Sequence, residues 1–116
     1  MTAGRIITYL SQFRLDVQDE KHLQQQIADA FFSASYDHER EYRLDGSNIV
    51  DFMLPGKIAI EVKIKGSRRE IFKQCERYCH FDEVSELILI TNRSIGFPKE
   101  INRKPCYVMA LGRSWL

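Results

Sequence analysis

Residues 49–63, Ile49-Val-Asp-Phe-Met-Leu-Pro-Gly-Lys-Ile-Ala-Ile-Glu-Val-Lys63, decide how the rest of this chain is read. Apolar residues alternate on both sides of Pro55-Gly56, a dipeptide that favours tight turns, so the stretch predicts two strands joined as a hairpin. Successive side chains of a strand point to opposite faces, which puts Ile58, Ile60, Val62 and Ile64 on one side and Glu61 with Lys63 on the other. The first side is expected to meet the core. The second carries a carboxylate and an ammonium, and Asp51 on the preceding strand reaches the same place across the hairpin. Charged groups in the middle of apolar, central strands are costly to bury unless they are paired or bind a cation. An acid followed on the next strand by Glu-x-Lys suits a divalent cation held beside a phosphate. Clustered oxygens ligate the ion, while the lysine balances charge and holds a water or a phosphate oxygen.

The 116 residues predict one domain spanning 1–116, large enough for a single core. Hydrophobic residues at 44% and charged residues at 28% fit a globular protein rather than a disordered one. No apolar run approaches the roughly 20 residues that span a bilayer, and the start, Met-Thr-Ala-Gly-Arg, has no signal-peptide core. The expectation is a cytoplasmic protein with no membrane contact. Cys75, Cys79 and Cys106 are an odd number of thiols and fit a reducing compartment better than a disulfide framework. The net charge of +1 is unevenly spread: residues 1–56 carry 5 Lys/Arg and 9 Asp/Glu (−4), whereas residues 57–116 carry 12 and 7 (+5). Basic residues gather at and after the Glu-x-Lys strand, at Lys63, Lys65, Arg68, Arg69 and Lys73, then Arg93, Lys99, Arg103, Lys104 and Arg113. That bias suits a polyanionic partner.

Ile6, Tyr9, Leu10 and Phe13 are spaced for a short helix within residues 5–15, without a convincing cap. From Asp16 or Asp19 to about Ser33, an acidic start and Leu23, Ile27 and Phe31 at four-residue spacing predict an amphipathic helix. Glu20 falls on its inward side near the first turn, and His22 points away. Residues 39–44 alternate as an outer strand, followed by the turn formers Asp45-Gly46-Ser47-Asn48. Ser67 is placed to cap a helix over about Arg68 to His80 that buries Ile71, Phe72, Cys75 and Cys79 and shows Glu70, Gln74, Arg77 and Tyr78. Leu87 to Thr91 is a continuous apolar run, the mark of a strand covered on both faces, and 106–111 supplies a last strand. A strand, helix and strand in succession imply a crossover that leaves the two strands parallel. The expected fold is α/β, a small mixed sheet flanked by helices.

These residues together resemble the PD-(D/E)XK nuclease superfamily: Asp51 on one strand, Glu61-Val62-Lys63 on the next, and Glu20 on the helix before them. Gln74-Cys-Glu-Arg-Tyr78 on the following helix resembles the QxxxY motif of the branch with RecB-like and lambda-type exonuclease domains. The resemblance spans roughly residues 16–92 and matches the αβββαβ restriction-endonuclease-like core. Val50 stands where the nominal proline would be, and the turn before Asp51 lacks the second aspartate of the RecB-like pattern. What the resemblance implies is Mg²⁺- or Mn²⁺-dependent hydrolysis of phosphodiester bonds, with DNA as the expected substrate. On that footing Asp51, Glu61 and the Val62 carbonyl would ligate the metal, and Lys63 would position and help deprotonate water or stabilise the developing phosphorane charge. Gln74 would orient water or substrate, Tyr78 would bind phosphate or brace the helix, and Glu20 would serve an outer-shell or second cation. Lys65, Arg68, Arg69 and Lys73 would contact the nucleic acid.

Plainer readings stand beside these. Asp51, Glu61 and Lys63 also suit a cross-strand ion pair on a solvent-facing sheet. Cys75 and Cys79, with no second ligand pair, read as core thiols rather than metal ligands, and His22 and His38 read as surface residues. A nuclease-like fold without catalysis would be a nucleic-acid-binding or protein-interaction module. Self-association as a homodimer, or docking into a larger nuclease or repair assembly, would use the helix near residues 5–15 and the tail with Trp115 as contact surfaces.

Overall fold

The computed structural model describes residues 1–111, so Arg113 and Trp115 lie outside the described residues. The elements are α1 (Ala3–Leu10), α2 (Glu20–Ser33), β1 (Glu39–Arg43), β2 (Ile49–Leu54), β3 (Ile58–Lys63), α3 (Arg68–Tyr78), β4 (Glu86–Thr91), β5 (Glu100–Ile101) and β6 (Lys104–Ala110). The strands form one six-stranded mixed sheet in the order β1-β2-β3-β4-β6-β5. β1, β2 and β3 are an antiparallel meander, β3, β4 and β6 run parallel, and β5 closes the far edge antiparallel to β6. The fold is α/β.

Three layers follow from the strand alternation. Ile58, Ile60 and Val62 of β3 join Leu23, Ile27 and Phe31 of α2 and Ala3, Ile6 and Leu10 of α1 in one buried cluster. Ala59 of β3, with Leu87 and Leu89 of β4, joins Ile71, Cys75 and Tyr78 of α3 in a second cluster on the opposite face. Every residue of β4 after Glu86 is buried, as an apolar run covered on both sides requires. The hairpin turn uses Gly56 at φ +89° and Lys57 at φ +62°. Glycine reaches that left-handed region without steric cost, which is why the turn sits at Pro55-Gly56. No described helix is long and apolar enough to cross a membrane.

Several local expectations need correction. α1 is capped after all, by Thr2, whose Oγ1 accepts the Arg5 N–H at 3.2 Å. It ends at Leu10 and buries Ala3, Ile6 and Leu10, so it is docked rather than exposed as a free contact surface. Tyr78 is 1% exposed instead of lying on the outer stripe of α3. His38 is half-buried, with its ring against Phe31 and Phe52 at centroid distances of 5.4 and 6.0 Å. Both faces of the Glu-x-Lys strand are covered, not the apolar one alone, because α3 lies over the second.

Candidate functional site

The ladder between β2 and β3 holds from Leu54↔Ile58 to Phe52↔Ile60 and then opens. The next pair in that register is Asp51 opposite Glu61, and here side chains replace the missing main-chain bonds. The Asp51 N–H donates to Glu61 Oε1 at 3.3 Å, and the Val62 N–H donates to Asp51 Oδ2 at 2.7 Å. Two carboxylates therefore sit in the fork between central strands, on the face covered by α3.

β1 contributes to the fork. Its register places Glu41 opposite Asp51, between Arg40↔Phe52 and Tyr42↔Val50. Glu41 has φ +50°, a left-handed conformation that an L residue with a side chain seldom adopts. The alternation breaks at this point: Phe52 packs in the α1/α2 cluster while Val50, two residues away, packs in the α3 cluster. The strand is irregular at the point where Asp51 sets its carboxylate against β3.

Glu61 is only 2% exposed. Its Oε2 lies 3.7 Å from Lys63 Nζ and 3.5 Å from the Tyr78 hydroxyl. Burial first, and the Asp51 charge second, raise its pKa from 4.5 to about 8. Burial likewise raises Asp51 from 3.8 to about 6, against the lowering effects of the Val62 N–H and Lys63. A buried acid and a half-buried one held against one ammonium carry more negative charge than their surroundings balance. Among the described residues, no hydrogen-bond donor reaches Asp51 Oδ1.

That donor set fits a hard divalent cation, which favours carboxylate oxygens and is content with one or two of them plus water. Among the described residues, no three side chains of His, Cys, Asp or Glu converge to hold a metal, so the protein's side-chain contribution would be Asp51 and Glu61. Cys75 takes no part. It is buried and its thiol is pushed up to about 12, chiefly by desolvation.

Glu20 ties α2 to the end of β3. Its Oε1 accepts the N–H groups of Ile64 at 2.7 Å and Lys65 at 3.3 Å, so it holds the exit of β3 against the start of α2. Its charge still contributes to raising both Asp51 and Glu61. On α3, Gln74 Nε2 donates to the Tyr78 hydroxyl at 2.8 Å, and that hydroxyl donates to the Ile49 carbonyl at 2.9 Å. The Gln-x-x-x-Tyr spacing, one helical turn, is used to tie α3 to the start of β2 beside Asp51.

A surface pocket of about 180 Å³ adjoins the fork, lined by Lys63, Lys65, Gly66, Glu70, Ile71 and Gln74. Lys65, Arg68, Arg69 and Lys73 are all exposed. A larger cavity of about 460 Å³ opens at the Pro55-Gly56 end of the sheet, on residues that include Asp37, Glu39 and Glu83, away from these groups. Two contributors escaped sequence reasoning. Glu41 had no visible signal other than its charge in an outer strand. Thr91 ends β4 in register with Lys63, is fully buried, and its hydroxyl has no hydrogen-bond partner among the described residues; in sequence it is an ordinary strand-forming residue. No family model, no curated protein and no solved structure matches this chain.

Proposed function

We propose that this protein is a Mg²⁺- or Mn²⁺-dependent nuclease of the PD-(D/E)XK kind that hydrolyses phosphodiester bonds of DNA. One observation carries the reading: Asp51, Glu61 and Lys63 meet in a fork where the sheet's own hydrogen bonds give way to carboxylates. A purely structural ion pair has little use for a second acid beside the buried Glu61, since each acid makes the other harder to ionise.

Asp51 and Glu61 would hold the cation, with the Val62 carbonyl that the resemblance implies. When bound, a divalent cation lowers the proton affinity of water and stabilises charge on a phosphoryl oxygen. The chain's own groups do the rest. Lys63 presents an ammonium next to the Glu61 carboxylate, where it takes up the negative charge that develops as water attacks phosphorus. Tyr78 fixes the main chain at Ile49 and so the place of Asp51. Gln74 donates its amide to Tyr78 and keeps its carbonyl oxygen for water or substrate. Lys65, Arg68, Arg69 and Lys73 supply cations for the phosphates on either side, contacts that position a strand without reading its bases. Three unpaired thiols suit a reducing cytoplasm.

The test is cleavage of supercoiled, linear, branched and single-stranded DNA with Mg²⁺, Mn²⁺ or EDTA. Wild type should cut with metal and not with EDTA, and Asp51→Ala and Lys63→Ala should each lose about a hundredfold or more. Retention of DNA without cleavage under either metal, or an Asp51→Ala variant as active as wild type, would replace the nuclease reading with that of a binding module.

A further inference from the structure

Cys79 and Cys106 hold their sulfurs 3.8 Å apart across a separation of 27 residues. Cys79 is the C-cap of α3, and Cys106 lies in β6 on the sheet face that α3 covers. Both are free thiols; Cys106 is 7% exposed, whereas Cys79 and Cys75 are 0% exposed.

Thiols collect in cores, and burial alone leaves them inert. Two features set this pair apart. The sulfurs face one another, and a disulfide needs them to close by only about 1.8 Å, to the bonded distance of about 2.05 Å. Their proton affinities are also linked: the hydrogen bond between them is the main influence on each, lowering the pKa of Cys106 and raising that of Cys79. The sulfur with the better access thus has a second thiol standing next to it. That is the arrangement in which an oxidised cysteine is captured by a resolving partner.

We propose that Cys79 and Cys106 form an oxidisable pair, which a peroxide converts into an intramolecular disulfide joining the end of α3 to β6. The Cys106 sulfur attacks one peroxide oxygen. The O–O bond breaks, one oxygen departs as water (from hydrogen peroxide) with the thiol's proton, and Cys106 is left as a sulfenic acid. The Cys79 sulfur then attacks the Cys106 sulfur. The S–S bond forms as the S–O bond breaks, and the sulfenic hydroxyl leaves as water with the Cys79 proton. Two thiols lose two electrons, and one peroxide is reduced to two waters. The bond closes a loop from α3 through β4 to β6, restricting the unfolded chain, and fixes the helix that carries Gln74 and Tyr78.

The experiment treats the folded full chain with hydrogen peroxide, removes the oxidant, alkylates remaining thiols in denaturant without reductant, and maps the peptides by mass spectrometry. The same treatment of chain unfolded in denaturant shows pairing without the fold's guidance. In the folded protein the Cys79 and Cys106 peptides should be joined, with the loss of two hydrogens. Cys75 should be alkylated, and dithiothreitol should return all three thiols. The proposal is overturned if all three thiols of the folded chain remain alkylatable while the unfolded chain oxidises. It is equally overturned if Cys106 proceeds to sulfinic acid with Cys79 still free, or if bonds form chiefly to Cys75 or between two chains.

Discussion

Asp51 and Glu61 each stand in for a missing rung of the β2–β3 ladder: Glu61 Oε1 accepts the Asp51 N–H at 3.3 Å, and Asp51 Oδ2 accepts the Val62 N–H at 2.7 Å. The two acids are thereby fixed by main-chain donors rather than by a crowd of cations, and their own charges are left poorly balanced.

The first prediction concerns pH. Asp51 and Glu61 have pKa values raised by burial to about 6 and about 8. The folded state therefore binds more protons than the unfolded chain between the ordinary carboxylate values and these raised ones. Stability contributed by the pair is present at low pH and is lost as pH rises through that window. Thermal melts in chelator should show it, and added Mn²⁺ should raise the midpoint more at the upper end of the window than at the lower. Glu61→Gln should flatten the profile and stabilise the metal-free protein near pH 8, by about 1–3 kcal/mol. An unchanged profile in that variant would contradict the charge imbalance.

Tyr78→Phe removes the donor to Ile49 and the partner of Gln74. Losing the donor to this part-buried carbonyl should cost about 1 kcal/mol, read in urea denaturation. Since the hydroxyl braces β2 rather than holding the cation, Mn²⁺ affinity should change by less than about threefold, no more than the net worth of one hydrogen bond. A variant as stable as wild type would remove the brace from the account.

Glu20 accepts two main-chain N–H groups at the exit of β3. Glu20→Gln keeps an acceptor and should stay within about 0.5 kcal/mol of wild type, whereas Glu20→Ala should lose about 1 kcal/mol. If Glu20→Gln, while folded, loses Mn²⁺ affinity as severely as Asp51→Asn does, Glu20 belongs with the cation and not with the β3 exit.

The left-handed backbone at Glu41 makes the next prediction. Glu41→Gly relieves steric strain and should be neutral or stabilising. Glu41→Val puts a branched side chain at positive φ and should destabilise by about 1–3 kcal/mol, measured by chemical denaturation. Equal stability for glycine and valine at this position would mean that the strand is regular there in solution.

Much of this arrangement was legible in residues 49–63, because period-two alternation decides which side chains share a face and Pro55-Gly56 sets the register of the hairpin. Ser67 was legible as a cap because it closes the Lys65-Gly66 loop before α3, and the structure adds that it forms a capping box with Glu70. The apolar run from Leu87 to Thr91 announced a central strand. What was hidden depends on contacts that local pattern does not encode. Tyr78 lies one helical turn from Gln74 and was placed with it on the outer stripe, yet its ring is buried and its hydroxyl finds a carbonyl 29 residues away. Glu41 alternates like its neighbours in sequence, and nothing in that pattern signals its positive φ. Thr2 escaped as a cap because apolar spacing put the helix within residues 5–15, whereas α1 begins at Ala3.

The most direct measurement is anomalous diffraction from crystals of this protein grown with Mn²⁺. The account predicts a peak in the fork, with carboxylate oxygens of Asp51 and Glu61 at about 2.1 Å, and its loss in Asp51→Asn. Crystals at saturating Mn²⁺ with no peak between those two residues, and Lys63 still on Glu61, would contradict it.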